Sequence, residues 1–321
     1  MGNRLEGRVA IVTGSGRGIG REVALLLAQE GAAVVVNDLG GAVDGSGSSE
    51  TPAEQVANEI IAAGGRAVSN RDSVADYEGA GRIVKAAIDS FGQIDVLCHV
   101  AGILRDRMIF NMTEEEWDGV LHVHLYGAFN MVRNVVPHMI SQNYGRIVLF
   151  SSGSGLGASG QANYATAKEG MVGFARALSR ELAEFDISVN AVYPGGATRM
   201  TATIPETTQQ LRQQQRSASA SAVAAGGMAT QGAPIQGPDE ARDPINNAPK
   251  AVYLSTEAGG ELLTGQVIGT SGWPMTLYSP RHAIRSIHKK GRWTLDELDD
   301  LIPISLGSGL VNPVPVQPPR E

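Results

Sequence analysis

Tyr164 and Lys168 stand four apart in Tyr164-Ala165-Thr166-Ala167-Lys168, which puts a phenol and an ammonium on one face if the segment is helical. A tyrosine of ordinary pKa, about 10, is a poor base at neutral pH, but an adjacent positive charge favours its phenolate form. Lys168 supplies that charge. Upstream, Ser151 and Ser152 close an apolar run, where a hydroxyl can bond a substrate oxygen that shares its proton with Tyr164. Together these residues suit acid–base chemistry on an alcohol or a carbonyl.

A second group suits a phosphate. Thr13-Gly14-Ser15-Gly16-Arg17-Gly18-Ile19-Gly20 is a glycine-rich turn between a β-branched run and a helical pattern. Missing side chains permit close approach there, and the N–H groups of a helix start attract a pyrophosphate. Asn37-Asp38, at the end of the next apolar run, places a carboxylate where an adenosine ribose 2′-hydroxyl would lie. Asp38 would accept that hydroxyl and repel a 2′-phosphate, so NAD is expected rather than NADP. Arg17 is the counter-signal, because a guanidinium can pair with the phosphate.

The elements that must carry these residues alternate. Apolar runs at Val9 to Thr13, Ala33 to Asn37, Ala67 to Ser69, Ile94 to Cys98, Ile147 to Phe150, Ile187 to Val192 and Gln266 to Ile268 predict strands, with helical patterns between them. Ile19 to Glu30 reads as a helix, and Thr51-Pro52-Ala53-Glu54 and Thr113-Glu114-Glu115-Glu116 carry helix-start signals. The expectation is an α/β fold: a doubly wound parallel sheet of Rossmann type, covered on both faces. Residues 1–272 are expected to form this domain, with an insertion or lid at about 200–243 and a C-terminal extension over 273–321. Thr207 to Gly237 has no acidic and no aromatic residue, a composition that buries little and predicts mobility. The extension carries Arg281, Arg285, Lys289, Lys290 and Arg292 and a short helix signal at Thr294 to Leu301.

Composition narrows the classes. The 321 residues are 42% hydrophobic, and 40 glycines make about one residue in eight, against a usual ~7%, so a packed, turn-rich chain is implied. A net charge of −7 opposes non-specific adhesion to nucleic acid or anionic membrane. No stretch reaches the ~18 apolar residues of a membrane span, and neither the start nor the final Pro-Pro-Arg-Glu reads as a targeting signal, so a cytoplasmic location is expected. Cys98, inside an apolar run, reads as a buried thiol in a reducing compartment. The six histidines show no zinc spacing, and no metal is expected: His122 and His124 point to different faces of a helix.

Over roughly residues 5–272 the chain resembles a short-chain dehydrogenase/reductase. That family's Thr-Gly-x-x-x-Gly-x-Gly falls on Thr13, Gly14, Gly18 and Gly20, and its Tyr-x-x-x-Lys on Tyr164 and Lys168. The resemblance implies an adenine contact for Asp72, cofactor contacts for Arg17, Ile19, Ala101, Gly102, Pro194 and Gly195, and a nicotinamide or pyrophosphate contact for Thr198. It selects Ser152 as the catalytic serine, with Ser151 as the alternative because the spacing to Tyr164 is one shorter than the family's commonest. Val-Asn-Asp-Leu-Gly-Gly (36–41), Ala-Gly-Ile-Leu-Arg-Asp-Arg (101–107), Val-His-Leu-Tyr-Gly (123–127) and Gly-Gln-Ala-Asn-Tyr (160–164) resemble the (3R)-hydroxyacyl-CoA dehydrogenase module of β-oxidation multifunctional enzymes. The tail from Tyr278-Ser279-Pro280-Arg281 to Arg292-Trp293-Thr294 is similar to bacterial single-domain relatives, some of which also oxidise steroid alcohols.

The resemblance implies a small-molecule substrate, a homo-oligomer (dimer or tetramer) and hydride exchange between NAD and a secondary alcohol, with a hydroxyacyl-CoA as the leading substrate. A free bulky alcohol, such as a hydroxysteroid or aryl carbinol, is the alternative, and a cofactor-binding scaffold without turnover is the rival of another class. Two positions depart from the wider family. His124 stands where it has a catalytic Asn, as in the hydroxyacyl-CoA branch, and is expected to pass a proton through water to Lys168. His99-Val100 replace the Asn-Asn of its Asn-Asn-Ala-Gly, which leaves open how the strand end beside the cofactor is bonded.

Overall fold

The computed structural model describes residues 2–47, 51–198 and 238–309. Its first strand, β1 (Val9–Thr13), is buried at every position, as befits a strand covered on both faces. There follow α1 (Gly18–Gln29), β2 (Ala33–Asn37), α2 (Thr51–Ala62), β3 (Arg66–Asn70), α3 (Tyr77–Phe91), β4 (Val96–His99), α4 (Glu114–Leu121), α5 (Gly127–Gln142), β5 (Gly145–Phe150), α6 (Ala162–Glu181) and β6 (Ile187–Tyr193). After residue 237 come α7 (Ala248–Leu254), α8 (Glu257–Leu262), β7 (Val267–Gly269), β8 (Thr276–Tyr278) and α9 (Leu295–Leu301).

The strands form one sheet in the order β3-β2-β1-β4-β5-β6-β7-β8. Every pairing is parallel except that of β7 with β8, which is antiparallel. The sheet is thus mostly parallel rather than wholly so. The boundary read at residue 272 falls between two paired strands, because three residues with one intermediate and two exposed side chains give no burial pattern to read.

Alternation along each strand feeds two cores, one per face. Val9 and Ile11 join Leu97, Ile147 and Val189 under α3, α5 and α6. Ala10 and Val12 join Val34, Val148 and Ile268 under α1, α2 and α7. Helix starts follow the sequence signals: Thr113 and Glu116 make a reciprocal capping box before α4, and Thr294 and Glu297 do the same before α9. Between α4 and α5, His122–Tyr126 form a π-helical turn. Among the described residues no helix is long and apolar enough to cross a membrane.

The strand order reverses beside β1, with β2 on one side and β4 on the other. In doubly wound sheets the crevice at the carboxyl ends of the strands at that point receives the ligand. Thr13, Asp38, Ala101, Ser152 and Pro194 all lie at or just beyond those ends.

Candidate active site

The glycine turn after β1 is built for a close neighbour on one side and open space on the other. Gly14 (φ +64°) lies so near the loop after β4 that a Cβ would sit 2.7 Å from the Ala101 N, and a Cβ on Gly20 would sit 2.2 Å from the Gly14 carbonyl oxygen. At Gly18 (φ +54°) a Cβ would meet nothing among the described residues nearer than the Thr198 methyl at 3.8 Å. The cradle therefore has backbone on its floor and room at its mouth, which fits a dinucleotide phosphate. Gly14 thus lies against Ala101, and Gly18 faces Thr198. Arg17 is exposed in extended backbone at the start of α1.

Asp38 reaches back across this turn. Its Oδ2 accepts the Gly16 N–H at 2.8 Å and its Oδ1 the Gly40 N–H at 2.7 Å. The carboxylate is thus fixed beside the cradle, with further lone pairs to offer a hydroxyl. Asp72 accepts from the Arg82 guanidinium at 2.6 Å and from the Asn70 amide at 2.9 Å, while its carbonyl accepts from Asn37, which ties the ends of β2 and β3 together.

Along α6, Lys168 is 3% exposed and its Nζ lies 5.5 Å from the centroid of the half-buried Tyr164 ring. The Nζ donates to the Phe150 carbonyl at the end of β5. Burial pulls the Lys168 pKa down to about 7. The serines divide: buried Ser151 donates its hydroxyl to the Lys168 carbonyl at 2.6 Å, whereas Ser152 accepts the Ser154 N–H at 3.1 Å and keeps its own proton for another partner.

His124 is 1% exposed, edge-on to Tyr164 with ring centroids 5.1 Å apart. Its Nε2 lies 3.0 Å from the Ile103 N and 2.8 Å from the Ile103 O, so one of these two bonds holds the ring to the loop after β4. Its Nδ1 is buried without a partner. Burial, together with the Lys168 charge, holds its pKa well below the usual imidazole range, so the ring is neutral at pH 7. A Cβ on Gly102 would fall 2.1 Å from its Cε1. His122, two residues away, faces outward and stacks on Tyr126.

The loop after β6 is held by a residue the sequence reading missed. Asn247, fully buried, accepts the Gly195 N–H at 3.2 Å and donates to the Gly195 carbonyl at 2.9 Å, while Thr270 bonds its Oδ1. Its only sequence signal is an Asn ahead of Ala248-Pro249, an ordinary helix start. Asn163, also buried, donates to the carbonyls of Arg105 and Glu116 and so anchors the loop after β4 to the start of α6.

Residues 199–237, which take in most of the insertion expected at about 200–243, lie outside the described residues. Of the basic tail, Arg281 pairs with Glu169 of α6 at 2.7 Å, Arg285 donates to the carbonyls of Ser305 and Leu306, and Lys289 pairs with Glu297. Buried Cys98 has its pKa raised to about 12, which makes it an unreactive thiol. Among the described residues no cluster of His, Cys, Asp and Glu could hold a metal ion.

A phosphate cradle at the switch point, with a tyrosine, lysine and serine beyond it, is the arrangement of a nicotinamide-dependent oxidoreductase. Residues 8–210 match the profile of the short chain dehydrogenase family, to which the chain belongs. It is 50% identical over 210 residues, 64% of this chain and 73% of the other, to a putative short-chain type dehydrogenase/reductase of Mycobacterium tuberculosis. Over 199 residues, 62% of this chain, it is 47% identical to the peroxisomal multifunctional enzyme type 2 of Drosophila melanogaster, and it spans 33% of that enzyme's length. The crystal structure of a short chain dehydrogenase from Mycobacterium avium matches with a TM-score of 0.77 at 35% identity, covering 97% of this chain and 98% of that one. The resemblance read from the motifs is borne out for the family and for a likeness to peroxisomal multifunctional enzymes.

Proposed function

We propose that this chain is an NAD-dependent dehydrogenase interconverting a secondary alcohol and a ketone, with a (3R)-hydroxyacyl-CoA as substrate. The observation that carries the cofactor reading is the Asp38 clasp on the Gly16 N–H, which fixes a carboxylate at the edge of the phosphate cradle. Gly14, Gly18, Ile19 and Gly20 would hold the pyrophosphate, Asp38 the ribose, Asp72 the adenine side, and Ala101, Gly102, Pro194, Gly195 and Thr198 the nicotinamide half. When bound, the nicotinamide ring supplies the hydride acceptor.

Tyr164 takes the hydroxyl proton of the alcohol. Lys168, whose charged form sits beside the phenol, lowers the cost of the phenolate and reaches the nicotinamide ribose. Ser152, with a proton to donate, orients the substrate oxygen, and the bond of Ser151 to the Lys168 carbonyl supports giving the role to Ser152. His124, neutral and with an open Nδ1, is read as a station for the proton next to Tyr164. Because that ring is buried, its route outward requires a water. In keeping with the resemblance, the protein is read as a homo-oligomer.

The acyl-CoA reading rests on the motifs shared with the hydratase-dehydrogenase relatives. It requires faster NADH formation from a (3R)-hydroxyacyl-CoA than from its (3S) epimer, and faster than from a free alcohol with the same apolar body. Equal or better turnover of the free steroid or aryl alcohol would move the assignment to that substrate class. Equal efficiency with NADP would overturn the cofactor reading.

A further inference from the structure

Thr13 and His99 are register partners across the central pair β1–β4. Both are 0% exposed, and the Thr13 Oγ1 lies 3.1 Å from the His99 Nδ1. The same oxygen receives the N–H groups of Val100 and Ala101, each at 3.2 Å. A hydroxyl has one proton and two lone pairs. With both lone pairs taken by amides, the proton must go to the His99 Nδ1, so the ring is the tautomer that carries its hydrogen on Nε2. Burial and the nearby Lys168 charge press the His99 pKa down to about 3, so nothing displaces this arrangement near neutrality. Nε2 is buried without a hydrogen-bond partner, and the His124 backbone is the one nearby influence favouring a proton on the ring.

The consequence reaches the cradle. Ala101 is the residue against which Gly14 packs, closely enough that a Cβ on Gly14 would sit 2.7 Å from its N and Cα atoms. Whatever holds the Ala101 backbone therefore sets the depth of the glycine turn. We propose that His99 is a positioning residue for the dinucleotide site: as acceptor of the Thr13 hydroxyl proton, it makes Thr13 a double acceptor that holds the Val100-Ala101 backbone against the glycine turn. This answers how the strand end is bonded where the wider family has Asn: here an imidazole nitrogen supplies the acceptor. It rests on the dinucleotide reading for its purpose, but the bonding itself is present without ligand.

The test uses the full chain with His99→Leu, which has no acceptor, His99→Asn, which restores one, and Thr13→Val. Amide hydrogen exchange of Val100 and Ala101 is measured without ligand, and NADH affinity is measured by fluorescence titration. In His99→Leu both amides are expected to exchange about tenfold faster or more and NADH to bind about tenfold more weakly, because a buried hydroxyl proton is left without a partner. His99→Asn should stay within about threefold of the parent in both readouts. His99→Leu should cost little further once Thr13 is already Val, since the hydroxyl proton that His99 receives is then gone, whereas Thr13→Val itself takes the acceptor from both amides. Should His99→Leu fold poorly, the comparison of Thr13→Val with Thr13→Ser reads the same hub from the other side. Equal behaviour of the Leu and Asn variants, or fully additive losses at the two positions, overturns the proposal. If the parent chain binds no NADH, the cofactor reading fails while the exchange measurement still decides on His99.

Discussion

Replacing Lys168 by Met should change how stability depends on pH before it changes anything else measurable in the ligand-free protein. The Lys168 ammonium is 3% exposed, with one hydrogen bond to the Phe150 carbonyl, and burial lowers its pKa from the ordinary 10.5 to about 7. Between those pH values the unfolded chain binds a proton that the folded chain has released, so stability rises with pH through that window. Below about 7 both states are protonated, and the full burial cost is present at every lower pH. At about 1.4 kcal/mol per pH unit, the window corresponds to roughly 5 kcal/mol, an upper bound because water entry relieves part of the cost. Met fills a similar volume and does not titrate. Urea unfolding of parent and variant at several values from pH 7 upward should give curves that converge as pH rises, the parent climbing more steeply. The variant should be no less stable than the parent at pH 7, yet inactive. Parallel curves, separated by a constant offset, would refute the claim that a charge is being held in a dry site.

Tyr164→Phe should cut turnover by at least about a hundredfold while leaving NADH affinity close to that of the parent, as read by steady-state kinetics beside a binding titration. Asp38→Ala should narrow the preference for NAD over NADP in kcat/KM, and it should also lower the melting temperature slightly because the Gly16 and Gly40 N–H groups lose their acceptor. The two serines should separate: Ser152→Ala is expected to lose kcat/KM by about tenfold or more with little change in unfolding, and Ser151→Ala to lose roughly 0.5–1.5 kcal/mol of stability as its buried bond to the Lys168 carbonyl goes.

Some of this architecture was readable to the residue. Val9 to Thr13 and Ala33 to Asn37 are strands with the expected bounds, because β-branched runs ended by a glycine turn or a polar pair leave little choice. Ile94, read as strand, is not one: it is buried, but its N–H and carbonyl are bonded by the Gln142 side chain, a partner no local pattern reveals. The Tyr164–Lys168 pairing was legible because helical spacing alone brings the two together. Which of the Ser151 and Ser152 hydroxyls turns under α6 to bond the Lys168 carbonyl was not. Asn247, more than fifty residues from Gly195, could be joined to it only by the folded chain. The tautomer of His99 likewise depends on two backbone amides that no side-chain pattern records.

The π-helical turn at His122–Tyr126 makes Glu114 to Gln142 one rod with a slipped phase. Such a turn amounts to one extra residue in an α-helix, and one residue is about 100° of rotation. The face that α4 presents to α6 and the face that α5 presents to the sheet are therefore out of step, and a single repeat cannot describe both. Losing one residue here would regularise the backbone and turn the amino-terminal half by that angle. His124, held on Ile103 and edge-on to Tyr164, would then swing out of its place. A length change that local backbone energetics would welcome is thus one that would cost His124 its place, so this stretch should tolerate substitutions far better than deletions.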